Sequence, residues 1–165
     1  MNAHSHCIRS LGVHSQNMRW APKRLERKPR PDQGEFAAKS DFDLIAMAPL
    51  DQWAFPEFYR RHFFGLAGFV MTRVGDVEIA HSIANEAMAI GLEHAIERDR
   101  ESIIDPPAWI YELTLQLLDD FRSTGVLRSE ATARVGLDLP VTEERLQRVR
   151  SEAERVVAAI GEAEG

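Results

Sequence analysis

The sequence predicts an all-α fold, a small helical bundle, and three observations carry that expectation. Apolar residues recur at steps of three and four over long stretches, residues that start and stop helices bound those stretches, and no segment carries a strand signal. The bundle is expected at residues 41–127, behind a basic tail at 1–40 and ahead of a linker and C-terminal amphipathic helix at 128–165.

Met1 to Ser40 has no periodic apolar pattern, and Pro22, Pro29 and Pro31 interrupt its basic run from Lys23 to Arg30. A segment of this kind cannot bury enough apolar surface to offset the entropy of ordering it, so a disordered tail is expected. His4, His6, Cys7 and His14 are residue types that suit zinc, but nothing in the segment would fix their geometry and their spacing matches no zinc template. Lys23, Arg24, Arg27, Lys28 and Arg30 either contact a polyanion or simply solubilise the chain.

Order is expected to begin near Asp41. Leu44, Ile45 and Ala48 suggest a short helix ending around Leu50, and Asp51 is placed to cap the next. That next helix carries Phe55, Phe58, Tyr59, His62, Phe63, Leu66, Phe69, Val70 and Val74 at helical spacing, with Pro56 tolerated in its first turn. Its aromatics make it the main core donor, while Arg60, Arg61 and Arg73 lie off the apolar stripe and Gly75 ends it.

The stretch from Asp76 to Arg98 organises the rest. Asp76 suits an N-cap, because its carboxylate can accept from free amides of the first turn. Ala80, Ile83, Ala84, Ala87, Met88, Gly91, Leu92 and Ala95 share one side, and Glu78, His81, Ser82, Asn85, Glu86, Glu93 and Glu97 share the other. The first side packs and the second is expected to offer acids and amides to a partner.

A polar loop from Asp99 to Asp105 follows. Asp105 before Pro106 and Pro107 is a strong helix start, and Ile110, Leu113, Thr114, Leu117, Leu118 and Phe121 form the buried side of a helix that Gly125 ends. Beyond Gly125 the pattern weakens. Thr142 can then cap a last helix with Leu146, Val149, Ala153, Val156, Val157 and Ile160 on one face, which either docks on the bundle or pairs with another chain.

Charge and composition narrow the function. The net charge of −6 hides an asymmetry: residues 1–40 hold eight Lys or Arg against three acids, and the remainder is strongly acidic. Such a body meets polyanions through its tail or a local exception. No apolar run approaches the roughly 20 residues that cross a bilayer, the N-terminus lacks an apolar signal core, and the single cysteine agrees with a reducing compartment. No membrane partner and a cytoplasmic location are therefore expected.

No catalytic residue, cofactor or metal is expected. The chain has no phosphate-cradling Gly-rich loop and no nucleophile-elbow Ser, and Cys7 lies in the tail. His62 beside Phe63 reads as structural. Glu78 and His81 form a Glu-x-x-His pair of the type that di-iron bundles use twice, yet a second copy is missing, so the pair reads as solvated.

With the helices placed, the order of residues resembles region 2 of the sigma-70 family, in its extracytoplasmic-function (ECF) class. Asp51 to Asp76, with AFPEFYRRH and a closing RVGD, is similar to the first long helix of that region. GDVEIAHSIANEAM, Gly75 to Met88, resembles the family's GDPEDAEDLVQETF, and PAWIYELTLQLLDDFR, Pro107 to Arg122, its WLYRIARNLLRDHLR. The resemblance covers residues 41–123.

It implies a sigma factor-like protein that takes part in DNA-templated transcription initiation by binding core RNA polymerase. Ser82, Asn85 and Glu86 would face the β′ clamp helices, acids and amides meeting basic side chains. The loop Asp99 to Asp105 with Trp109, Glu112, Gln116, Asp120 and Arg122 would face the promoter −10 element, Trp109 serving either as a base-stacking platform or as a partly buried anchor.

Departures from the family pattern shape a second expectation. Ser82 stands where the family usually has an acid, and Asn85 where it has Gln. Asp105 to Arg122 holds four acids and one Arg, a balance that repels phosphates. The family's helix-turn-helix that reads the −35 element has no counterpart, since one helix remains after Thr142, so the chain is either naturally short or cut from a longer protein. DNA contacts would then need the basic tail or a second sigma subunit. The alternative is an interaction module that occupies an anti-sigma factor or another regulator without initiating transcription.

Overall fold

The computed structural model describes residues 33–97, 103–137 and 139–163, which form seven helices and no strand. These are α1 (Gln33–Ala37), α2 (Asp41–Met47), α3 (Ala54–Val74), α4 (Val77–Ile96), α5 (Pro106–Thr124), α6 (Glu130–Val135) and α7 (Glu143–Ala163). The basic residues Lys23, Arg24, Arg27, Lys28 and Arg30, the tail histidines and Cys7, and residues 98–102 of the polar loop lie outside the described residues.

The first departure from expectation is that order starts before Asp41. α1 buries Phe36 in the core, and Arg61 of α3 reaches its end: Nη1 donates to the Lys39 carbonyl and to Asp41 Oδ1, Nη2 to the carbonyls of Phe36 and Ala37. One guanidinium thus satisfies carbonyls that a short helix cannot satisfy itself. Ser40 then starts α2 through a reciprocal capping box with Asp43. His62 also holds α2, its Nε2 lying 2.8 Å from Asp41 Oδ2 and its ring against Phe58.

α3 is the central helix. Phe58, Phe63, Leu66 and Val70 are fully buried, each worth about 1.5–3 kcal/mol relative to exposure. Asp51 does not cap α3 directly; its Oδ1 accepts from the Trp53 amide and tightens the turn that leads in. Gly75 closes the helix in the left-handed conformation at φ 72°, which glycine adopts without a Cβ penalty.

The starts of α4 and α5 match their sequence signals. Asp76 Oδ1 accepts from the amides of Glu78 and Ile79, and Asp105 Oδ1 accepts from Ala108. α4 packs on α3 and α5, and at the α5 contact Gly91 admits close approach: a Cβ there would sit 2.8 Å from Ile110 Cδ1 and 3.3 Å from Trp109 Cη2.

Two elements after Gly125 complete the bundle. α7 docks on α3 through Leu146, Val149 and Ala153, while Val157 and Ile160 of the expected apolar face are exposed. Val149 is fully buried, and Gly68 of α3 meets the α7 backbone so closely that a Cβ would lie 2.9 Å from the Glu152 carbonyl carbon. Thr142 caps α7 as expected, its Oγ1 accepting from the Arg145 amide at 3.3 Å. α6 lies across α4.

Candidate functional site

The expectation that one whole side of α4 is exposed needs correction. His81, Asn85 and Glu86 are buried at 2%, 7% and 2% exposure, Ser82 is half-buried, and only Glu78 and Glu97 at the helix ends are open. The segment from Ser129 to Leu137 covers Asn85, Glu86 and Glu93, and Arg145 of α7 meets His81.

Glu86 caps α6. Its Oε1 accepts from the Ala131 amide at 2.8 Å, and Oε2 accepts from the Thr132 amide at 2.9 Å and the Thr132 hydroxyl at 2.7 Å. Ser129 itself makes no side-chain cap, so a carboxylate 45 residues back in the chain supplies the acceptor that the α6 start lacks. Its charge also sits at the positive end of the helix. Two turns further along α4, Glu93 receives Arg134 of α6 in a two-pronged pair, Nε to Oε1 at 2.6 Å and Nη2 to Oε2 at 2.8 Å.

Asn85 is the middle of a polar relay. Arg145 of α7 donates through Nη2 to the Tyr59 hydroxyl at 2.8 Å; Tyr59 donates to Asn85 Oδ1 at 3.1 Å; Asn85 Nδ2 donates to the Leu137 carbonyl at 2.9 Å. Arg145 also donates from Nε to His81 Nε2 at 3.2 Å and lies over the Phe63 ring, 4.8 Å from its centroid. Accepting this bond requires an unprotonated Nε2. Burial, with the nearby Arg145 charge, lowers the His81 pKa to about 4, whereas burial raises Tyr59 to about 12 against the pull of Arg145. Ser82 is apart from both groups, its hydroxyl donating to the Glu78 carbonyl.

Beyond the loop, the residues expected to face DNA all lie on α5, with Glu112, Gln116 and Asp120 at four-residue steps along one face. Trp109 is half-buried against α4, beside Gly91 and 6.2 Å from the His94 ring. Glu112, Gln116, Asp120 and Arg122 are exposed on α5, and Asp120 pairs with Arg128 at 3.2 Å. The open surface of this helix presents Glu112, Asp119 and Asp120 against Arg122 alone.

A hollow beside the α4–α5 junction, lined by Ile83, Glu86, Leu117, Phe121 and Val126, has a volume of about 10 Å³, room for about one water and far below the roughly 300–1,000 Å³ of small-molecule sites. Among the described residues no group of three or more His, Cys, Asp or Glu is placed to hold a metal; Glu78 is exposed and His81 is engaged by Arg145. No described helix is long and apolar enough to cross a membrane. Tyr59, Thr132, Arg134, Leu137 and Arg145, all partners of the α4 side, carry no motif that would have singled them out. No protein-family model, curated protein or solved structure matches the chain.

Proposed function

We propose that this chain is a sigma factor-like protein whose α4 binds core RNA polymerase, and that promoter contact, where it occurs, comes from elsewhere than α5. The observation that carries the reading is the row Asn85, Glu86 and Glu93 on α4. These three groups engage a helix start, an arginine and a backbone carbonyl of a protein segment, the chemistry needed to hold a protein partner. The resemblance of α3, α4 and α5 in order to sigma-70 region 2 names that partner as the β′ clamp helices. The acidic open side of α5 opposes phosphate binding, which supplies much of the affinity of proteins for DNA.

The second reading is an interaction module that binds an anti-sigma factor or other regulator without initiating transcription. It is favoured by the full engagement of Glu86 within the chain itself. The two separate in one series. Purified protein is mixed with core polymerase, complex formation is read by size exclusion, and run-off transcript is then sought from a candidate promoter. Complex and transcript are the expected result; complex without transcript moves the case to the second reading; no complex under any salt condition removes the first.

A further inference from the structure

We infer that the segment 129–137 is a cis-acting ligand for the α4 acid-and-amide side, and that a partner helix of like chemistry binds this side by displacing it. The inference rests on the reading of α4 as a polymerase-binding helix and adds its regulation.

The chemistry of the contact argues for exchange. α6 has six residues, and isolated helices that short do not hold together in water, so its helical form depends on what it touches. What it touches is largely polar. Glu86 takes its first amides, Glu93 takes Arg134, and Asn85 takes the Leu137 carbonyl; the apolar contribution is Ala131, a small buried side chain, and Leu137, partly buried against the core. Arg134 is 60% exposed, and a pair that open contributes little in solution. Glu86 and Glu93 can be satisfied equally by another helix that offers free amides, a hydroxyl and a cation in the same order, and the Asn85 donor by an acceptor of the partner or by water.

The flanks allow such movement. Gly125 at φ 69° ends α5 ahead of the segment, and Gly136 at φ 67° ends α6 within it, so glycine caps stand before and after the short helix. α7 remains anchored on α3 by Val149 and the Gly68 contact when the segment lifts. The occupant that fits the vacated side is a basic protein helix presented by its N-terminal turn. An acidic helix is rejected by Glu86 and Glu93, and a phosphate backbone is rejected for the same reason.

The cover also sets the apparent affinity. A partner that needs the open form binds more weakly by the fraction of molecules that are open, so weakening the cover tightens binding without adding a contact. Thr132→Ala combined with Arg134→Glu removes the hydroxyl donor and reverses the charge that faces Glu93, and leaves every α4 residue in place.

The experiment uses the full chain, native and doubly substituted, with purified core RNA polymerase as the probe. Amide exchange is read at Ala131 and Thr132 for the cover and at Phe63 and Val149 for the core. The expected result is exchange at least about tenfold faster at Ala131, unchanged exchange at Phe63 and Val149, and polymerase affinity higher by about the same factor. Faster exchange with equal affinity overturns the inference and leaves the polymerase reading standing. Unchanged exchange overturns it as well, because these contacts then do not hold the cover. Absence of polymerase binding by both proteins, with faster exchange, overturns the underlying reading and the inference with it.

Discussion

The α3–α7 contact is built around buried Val149 and the close approach at Gly68, with Arg145 lying over Phe63 and bonded to Tyr59 at one end, whereas the α4–α6 contact is built chiefly from two carboxylates, an amide, an arginine and backbone groups. Both join the C-terminal third of the chain to the same helical layer. Burial of apolar surface has no equivalent in water, so the first contact is lost only when the bundle unfolds. Hydrogen bonds to protein are exchanged for hydrogen bonds to water at a small net difference, so the second can open by itself. The lesson is that one part of the chain can serve as core in the first half of α7 and as a replaceable ligand in the segment before it.

Substitutions can break the comparison at either contact, and the largest effect is expected at α3–α7. Gly68→Leu places atoms against the Glu152 backbone, where even a Cβ would lie 2.9 Å from the carbonyl carbon, and is expected to cost about 3 kcal/mol of global stability in urea unfolding. A loss near zero would mean that α7 is not part of the cooperative unit.

Acid should act next, through His81. Its pKa falls from 6.5 to about 4 in the fold, so the unfolded chain takes up the proton first. The stability that neutral His81 contributes is complete above pH 6.5 and is lost as pH falls toward 4, roughly 3 kcal/mol over that window. Protonation also removes the acceptor for Arg145 and sets two cations together. Unfolding measured from pH 7 to pH 4 checks this, and His81→Phe should flatten the curve.

Glu86→Ala tests the polar contact. It leaves the Ala131 amide buried without its acceptor, with an expected cost of about 2 kcal/mol, visible as lost protection in α6 before α3. Arg134→Ala should cost less than about 1 kcal/mol, because the pair lies in the open. If Arg134→Ala proved as damaging as Gly68→Leu, the distinction between the two contacts would collapse.

Much of the bundle was legible in the residues. The apolar spacing of α3, α4 and α5, the Asp76 and Asp105 caps, and the glycines that end α3 and α5 are local signals, and the structure has them where the sequence puts them. The candidate site was legible only in part. Periodicity divides α4 into an apolar and a polar side but does not say whether water or protein meets the polar one, and the hydrogen bonds of Glu86 and Arg145 span 45 to 86 residues of chain. α6, at six residues, is too short to show a period, and the short α1 was hidden because its order derives from Arg61, a side chain that reads as off the stripe.

Native-state amide exchange by NMR tests the central distinction most directly. Ala131 and Thr132 are expected to exchange through local opening, with protection well below that of Phe63 and Val149 and insensitive to low urea. Equal protection at all four amides, falling together with urea as the whole protein unfolds, would contradict it.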